Sequence, residues 1–327
     1  MGTNLLYYLL DMDFCLTWIC SGEADLEKLR KNFTKRLGRS LEAGIIDENR
    51  LQGILERIKI SNKAEDVATC ELIIEAITED LEAKQQLFRV LDMIASPECI
   101  FTSNSSSIHP SALIPSDNRR AKFAGLHFFY PIALKDIVEV IVTPETSKAT
   151  LEQITSFLDS IRRRFLLLEE KDSFILNRIF LDFQNEAFLL VKEKKASLQQ
   201  IDRIVKDQFF PTGVFEFFDS VGLDVMLASV KNYVRNDPKE EWYDQLIIQL
   251  QELVSAGRLG TKTKGGFYGK GIPSDPGYPE NDGEIIVKLK ATYEQTFIRF
   301  CKSSGIQPAA LKTAMDEYFG AETPVVP

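Results

Sequence analysis

The sequence is poor in several features that mark particular protein classes. Its five cysteines are scattered and form no CxxC pair, which argues against a disulfide framework or a metal site and fits a reducing cytoplasm. No apolar run reaches the roughly 18 residues of a membrane-spanning helix, and the first residues lack the basic region and cleavage site of a secretory signal. A net charge of −9 argues against nucleic acid as the main partner. These features favour an ordinary globular protein, and 327 residues are enough for two domains.

Histidine is also scarce, and only two occur in the chain. One of them, His127, lies in the stretch GLHFFYPIALKDIVEV at 125–140, within what we predict to be a buried strand. The same stretch contains Glu139 in the middle of the apolar run IVEVIV. An unpaired carboxylate there would cost several kcal/mol, so a histidine on a neighbouring strand is a good partner for it. A core histidine that only satisfies a hydrogen bond is the alternative interpretation.

The first half of the chain alternates short β-rich runs with helical patterns. Helices are predicted from about 26 to 41, from about 81 to 93 and over 148–163, because apolar residues recur there every three or four positions. The predicted strands are 14–20, 71–76, 99–104, 123–129, 137–142 and 165–170. Strands that alternate with helices at this spacing predict a parallel, doubly wound sheet of the α/β class over residues 1–170.

From about residue 171 to 327, strand-like runs disappear and helical periodicity predicts an all-α domain. A Gly-, Pro- and Lys-rich stretch over 260–283 indicates a loop or linker. The helical part also contains a weak internal repeat, in which residues 184–210 match 294–320 at a constant offset of 110. A coincidence between two amphipathic helix pairs is the alternative explanation.

A histidine–glutamate pair on neighbouring strands has a specific chemical use. The carboxyl ends of the strands form the ligand crevice of a doubly wound sheet, and the hydroxyl-rich run SNSSS at 103–107 would lie there too. A carboxylate beside an imidazole fixes its tautomer and stabilises imidazolium, so the ring can take a proton from an alcohol. Proton removal from a hydroxyl, coupled to hydride loss from the same carbon, is dehydrogenase chemistry, and a nicotinamide would accept the hydride.

Six motifs carry a resemblance to a known family. In chain order they are TSNSSSIHPS, FAGLHFFYP, DIVEVI, DSFILNR, SVGLD and KTKGGFY. At these separations the chain resembles the L-3-hydroxyacyl-CoA dehydrogenases, including 3-hydroxybutyryl-CoA dehydrogenases, to about residue 270, and the block from Glu79 to Asn177 aligns without a gap. The resemblance implies a Rossmann-like NAD-binding domain over 1–170 and a helical C-terminal domain over 171–327 for substrate binding and dimerisation.

The resemblance also implies roles for individual residues. His127 would be the general base and Glu139 its partner, while Ser106 and Asn177 would bind the substrate. The implied cofactor positions are Gly2, Glu79, Lys84, Ser106 and Lys262. Taken singly, these residues have simpler explanations, since a serine could cap a helix, an asparagine could bridge helices and the lysines could be solvated. Together, at family spacing, they favour a catalytic site, and no metal is expected in it.

The sequence departs from the family pattern in three places. A dinucleotide-binding domain opens with a strand, a GxGxxG turn and a helix that receives the pyrophosphate. Here Met1-Gly2 matches only the end of that turn, and Cys20 matches the acidic residue that binds the adenosine ribose. A thiol is a poor acceptor for a ribose hydroxyl, which affects cofactor affinity and the choice between NAD and NADP. Tyr130 replaces a family asparagine and Ser173 a glycine, and both would retune the substrate pocket.

The absent opening strand leads to two opposing expectations. In the first, the chain as written lacks part of its natural domain, with Met1 internal to a longer product. NADH binding should then be at least about tenfold weaker than in a version extended upstream, a difference of about 1.4 kcal/mol. In the second, the run NLLYYLL at 4–10 itself enters the sheet as a strand.

The leading functional hypothesis is a reversible, NAD-dependent oxidation of a short-chain (3S)-3-hydroxyacyl-CoA, such as 3-hydroxybutyryl-CoA, in fatty acid β-oxidation. The CoA tail would follow the basic residues of the first long helix, although these could equally form a solvated face. They are Lys28, Lys31, Lys35, Arg36 and Arg39. The alternatives are a dehydrogenase of another hydroxy acid and a non-catalytic relative that has lost dinucleotide binding. The resemblance also implies a homodimer formed through the helical domain, and no membrane or nucleic acid partner is expected.

Overall fold

The computed structural model describes residues 1–20, 25–235, 240–269 and 281–326, and the chain forms two compact units, Met1–Glu170 and Lys171–Pro327. Within the described residues, every strand belongs to the first unit, and the second is built from helices. The boundary between the two units, after Glu170, lies where the sequence changes from alternating strand and helix patterns to helical periodicity alone. Their separate roles in binding cofactor and substrate stay a prediction.

The first unit alternates strands and helices. Its strands are β1 Leu16–Ile19, β2 Ile58–Ser61, β3 Leu72–Glu75, β4 Ile100–Ser103, β5 Phe123–Phe128, β6 Ile137–Val142 and β7 Arg164–Glu169. Its helices are α1 Gly2–Leu9, α2 Leu26–Glu42, α3 Glu48–Arg57, α4 Leu81–Asp92 and α5 Lys148–Ser160. All predicted strands are present, but α3 and β2 were not predicted. β2 has four residues and contains the charged Lys59, so its strand signal is weak.

The strands form two sheets. β1 pairs in parallel with β2, and the second sheet has the order β3-β4-β5-β6-β7. β3, β4 and β5 run parallel as predicted, but β6 is antiparallel to β5, and β7 runs parallel to β6. The predicted parallel sheet is therefore mixed. A parallel crossover needs about a dozen residues or more, and the connection over 129–136 is too short for one.

The first segment is helical, so the expectation that NLLYYLL forms a strand is wrong. The spacing of its leucines explains the helix, because they serve two different faces. Leu5 and Leu9 pack with apolar side chains of β5 and β6, whereas Leu6 and Leu10 pack with those of α2 and β2. Helix α1 therefore contacts the apolar cores of both sheets.

The helical unit contains seven α-helices within the described ranges. They are α6 Ile175–Lys192, α7 Leu198–Gln208, α8 Val214–Val221, α9 Leu223–Val234, α10 Asp244–Ser255, α11 Asp282–Ser304 and α12 Pro308–Phe319. No helix in the described part of the chain is long and apolar enough to cross a membrane. Of the loop predicted over 260–283, residues 260–269 form turns and α11 begins at Asp282, while 270–280 lie outside the described residues.

Candidate active site

The histidine–glutamate pair lies on the two strands that the sequence indicated. The antiparallel register of β5 and β6 places His127 directly opposite Glu139, and the imidazole Nδ1 lies 2.8 Å from the carboxylate Oε2. Both residues are buried, with 4% and 0% of their surface exposed. A carboxylate only accepts hydrogen bonds, so this contact assigns the ring proton to Nδ1 and makes Nε2 the basic nitrogen.

The serine-rich run forms a turn around the carboxylate of Glu79. Its Oε1 accepts hydrogen bonds from the hydroxyls of Ser105 and Ser107 at 2.6 and 2.8 Å. The backbone N–H groups of Ser106 and Ser107 donate to the same oxygen, each at 3.0 Å. Burial raises the pKa of Glu79, but the Ser105 hydroxyl, the Lys84 charge and the other donors hold the pKa below its usual value. The ionised carboxylate therefore fixes the turn that carries Ser106.

Lys84 was predicted to contact the cofactor, and its ammonium lies in a buried ion pair. Nζ is 2.7 Å from Oε1 of Glu75 and 3.5 Å from Oε2 of Glu79, and the side chain is 1% exposed. Removing one partner of such a pair leaves an uncompensated buried charge. The geometry gives Lys84 a positioning role toward Glu79, and a direct contact with the cofactor stays a prediction.

Two residues that sequence reasoning did not single out join neighbouring strands at the same edge. Glu75, which ends β3, accepts a hydrogen bond from the hydroxyl of Ser103 at the end of β4, at 2.6 Å. The Oδ1 atom of Asn104 accepts from the backbone N–H of Phe128, at 2.9 Å, next to the catalytic candidate on β5. The rule that identified Glu139, an acidic residue in an apolar run, would also have found Glu75 in ELIIEA.

Lys262 lies on the KTKGGFY loop of the helical unit, and aspartates hold this loop. Its Nζ lies 2.5 Å from Oδ1 of Asp224. The carboxylate of Asp219 accepts from the two backbone N–H groups that follow Gly266, at 2.7 and 2.8 Å. A Cβ at Gly266 would lie 1.9 Å from the Oδ1 atom of Asp219, so the loop needs glycine there. The loop motif and the preceding SVGLD segment thus form one hydrogen-bonded structure.

Asn177, the other predicted site residue of the helical unit, lies in the first turn of α6. Its side-chain amide donates to the hydroxyl of Tyr233 at 2.9 Å. Ser173, which replaces a family glycine, is buried just before this helix. A change in the substrate pocket caused by Ser173 would therefore act through the packing of buried side chains.

The positions expected to bind the dinucleotide phosphates and ribose lie at the ends of β1 and β3. A Cβ on Gly2 would lie 3.4 Å from the Cβ of Ala76, the residue after β3. No side chain caps α1 and its first turn has no acidic residue, so its terminal N–H groups suit a pyrophosphate. Burial raises the pKa of Cys20, which follows β1, so a neutral thiol occupies the position predicted to bind the ribose. Tyr130, just beyond β5, is 66% exposed.

Comparisons with known proteins identify the family of the chain. Residues 1–171 match the family model for the 3-hydroxyacyl-CoA dehydrogenase NAD-binding domain, and residues 174–270 match the C-terminal domain of the same family. The mitochondrial hydroxyacyl-coenzyme A dehydrogenase of Homo sapiens is 34% identical over 74% of this chain and 76% of its own. The 3-hydroxybutyryl-CoA dehydrogenase of Bradyrhizobium diazoefficiens is 33% identical over 71% of this chain and 79% of its own.

A solved structure supports the same assignment. The (S)-3-hydroxybutyryl-CoA dehydrogenase of Ralstonia eutropha superimposes with a TM-score of 0.70 at 27% identity, over 82% of this chain and 93% of its own. The family models together cover most of the residues from 1 to 270. The chain therefore belongs to the NAD-dependent 3-hydroxyacyl-CoA dehydrogenase family.

Proposed function

We propose that His127 is the general base in a reversible oxidation of (3S)-3-hydroxyacyl-CoA to 3-oxoacyl-CoA. The observation that supports this role is the 2.8 Å contact between its Nδ1 and Oε2 of Glu139. In the oxidation direction, Nε2 takes the proton of the 3-hydroxyl, and Glu139 stabilises the imidazolium that forms. NAD, when bound, accepts the hydride from the same carbon. In the reverse direction the same nitrogen returns its proton to the carbonyl oxygen.

We further propose that Ser106 hydrogen-bonds the reacting oxygen and that Glu79 keeps it in place. Glu79 accepts the backbone N–H of Ser106 and four further donors of the same turn, of which the Ser106 hydroxyl is the most distant, at 3.5 Å. Lys84, which is paired with Glu75, lies 3.5 Å from the other oxygen of this carboxylate, Oε2, and stabilises its charge. Oriented groups of this kind lower the barrier because the geometry is fixed before the reaction begins. Asn177 and Lys262 are proposed to contact the substrate and the cofactor, as the family pattern implies.

For the substrate, we propose a short acyl chain attached to CoA. The relatives from Bradyrhizobium diazoefficiens and Ralstonia eutropha are named 3-hydroxybutyryl-CoA dehydrogenases, and the bulky Tyr130 would narrow the space beyond β5. The CoA phosphates are proposed to lie along the exposed basic residues of α2. Arg36 already stacks on the ring of Tyr7 at 3.7 Å, and Arg30 donates to the carbonyl of Ile60. Of the five predicted residues, the exposed Lys28, Lys31, Lys35 and Arg39 are therefore better candidates than Arg36.

The purified protein, NADH and acetoacetyl-CoA are enough to test this proposal. We expect NADH absorbance to fall with acetoacetyl-CoA and to stay constant with acetoacetate that carries no CoA. Equal rates with both compounds would favour a dehydrogenase of another hydroxy acid. Constant absorbance with both, together with no NADH binding, would favour a non-catalytic relative.

We propose that the protein acts in fatty acid metabolism and that it is located in the cytoplasm. All five cysteines are free thiols, which fits a reducing environment. The human relative is named as mitochondrial, so fractionation of the source cells is the direct test. The family pattern implies a homodimer through the helical domain, whereas the packing of α6 described below favours a monomer, and the mass of the protein in solution decides between them.

A further inference from the structure

The two helix pairs α6–α7 and α11–α12 correspond at the offset of 110 residues found in the sequence. Helix α7 begins at Leu198 and α12 at Pro308, and their N-cap residues are Ser197 and Gln307. Helix α6 ends at Lys192 and α11 at Ser304, within two residues of the same offset. The repeat is therefore a repeat of structure as well as of sequence.

The buried positions repeat at the same offset. The buried residues of α12 are Leu311, Ala314 and Met315, and they correspond to the buried Ile201, Ile204 and Val205 of α7. The buried residues of α11 are Ile285, Leu289, Tyr293, Thr296, Phe297 and Phe300. Each of them corresponds to a buried residue of α6, namely Ile175, Ile179, Phe183, Glu186, Ala187 and Leu190. Equivalent faces of the two helix pairs are therefore buried.

Reciprocal contacts show how the two pairs are related in space. The hydroxyl of Thr296 donates to Asp182 at 2.7 Å, and the hydroxyl of Thr292 donates to Glu186 at 3.4 Å. At the offset of 110, Asp182 corresponds to Thr292 and Glu186 to Thr296. When residue i contacts the equivalent of j, and j contacts the equivalent of i, the two elements are related by a twofold axis. The helices obey the same rule, since α7 packs on α11 and α12 packs on α6.

The second pair lacks the proposed site residue of the first. Asn177 corresponds to Val287, which is 68% exposed and has no polar side chain. Helix α6, in contrast, has 13 of its 18 residues buried within the described structure. The second pair therefore contributes packing surface to α6 without repeating the amide that would bind a substrate.

We propose that α11–α12 is a non-catalytic copy of α6–α7 that serves as an in-chain partner and leaves the protein a monomer. A pair of identical helices that packs about a twofold axis is the usual form of a homodimer interface. Here both halves of that interface come from one chain. A second copy of the protein would have to displace α11 to reach the same face of α6.

Light scattering coupled to gel filtration tests the proposal on the unmodified protein. We expect a mass near the 37.1 kDa of one chain, constant over about a hundredfold range of concentration, because no self-association equilibrium is present. A mass of two chains would overturn the proposal. This measurement does not depend on catalysis, so an inactive protein would still give a valid result.

A disulfide trap tests which chain supplies the partner helix. In a Glu186→Cys/Thr292→Cys variant, the two thiols should form an intrachain bond, which gives a faster-migrating monomer on a non-reducing gel. The single variants Glu186→Cys and Thr292→Cys should show no such band and serve as controls. A disulfide between two chains would mean that the helix pairs are exchanged between copies, and it would overturn the proposal. If the double variant does not fold, the mass of the unmodified chain decides alone.

Discussion

Individual charged residues in the first unit are explained by their burial and by the partner that each one has. Glu139 and Glu75 lie in buried strands, where an unpaired carboxylate would be costly. Glu139 is paired with His127, and Glu75 is paired with Lys84. Sequence reasoning found the first pair because histidine is so rare in the chain that His127 drew attention to its neighbours. It missed the second pair because a lysine on a helix is usually solvated, and only the fold shows that this one points inward.

The buried pair of Lys84 and Glu75 should be strongly coupled. We expect Lys84→Met or Glu75→Gln alone to lower the free energy of unfolding by about 3–5 kcal/mol. The first leaves the buried Glu75 carboxylate without its counter-ion, and the second leaves the buried Lys84 with only the longer 3.5 Å contact to Glu79. The double variant should lose at least about 1 kcal/mol less than the sum of the single losses. Denaturant unfolding of the four proteins measures these values. Additive losses would show that the two groups do not stabilise each other.

At the scale of elements, apolar runs identified six strands, but the direction of β6 and the existence of β2 could not be read from them. Direction depends on the connection, and the short segment after β5 reverses the chain. β2 depends on its pairing with β1, a contact that local sequence does not reveal. The helix at the start of the chain depends likewise on the two cores that its leucines contact. Tertiary context therefore accounts for each of these differences.

The loop that carries Lys262 offers a matched pair of glycines. A Cβ at Gly266 would lie 1.9 Å from an oxygen of Asp219, whereas one at Gly265 would come no closer than 3.8 Å to Arg258. We expect Gly266→Ala to cost about 1–3 kcal/mol of stability through overpacking, and Gly265→Ala to change it little. Thermal unfolding of both variants is the measurement. Equal effects would mean that Asp219 does not hold the loop as described.

Asp202 links the start of α8 to the same loop and should make stability depend on pH. Burial raises its pKa to about 6, against the hydrogen bonds from Phe215 and Tyr268. The native carboxyl therefore keeps its proton at pH values where the unfolded one, with a pKa near 4, has lost it. Stability should then decrease as pH rises from about 4 to about 6, by on the order of 1–3 kcal/mol. Asp202→Asn should lack this component in denaturant unfolding across that range, and an identical pH dependence in both proteins would contradict the assignment.

At the scale of the whole molecule, the chain combines the two family domains with a duplicated helix pair. The family models end at residue 270, whereas the α11–α12 pair follows and packs on α6. The sequence revealed the repeat, but the reciprocal contacts between α6 and α11 required coordinates. Because one chain supplies both helix pairs of the twofold interface, we expect the protein to be a monomer with one active site.

The central claim, that His127 removes the proton in a dehydrogenase reaction, is tested most directly by the two histidines of the chain. His127→Gln should lower turnover of acetoacetyl-CoA with NADH by about 10²–10⁴-fold, the contribution of a positioned acid–base group. Its dissociation constant for NADH should stay unchanged, because the imidazole transfers a proton and is not proposed to bind the dinucleotide. His109→Gln, at the only other histidine, should retain the turnover of the unmodified protein. Equal turnover in the two variants would contradict the account.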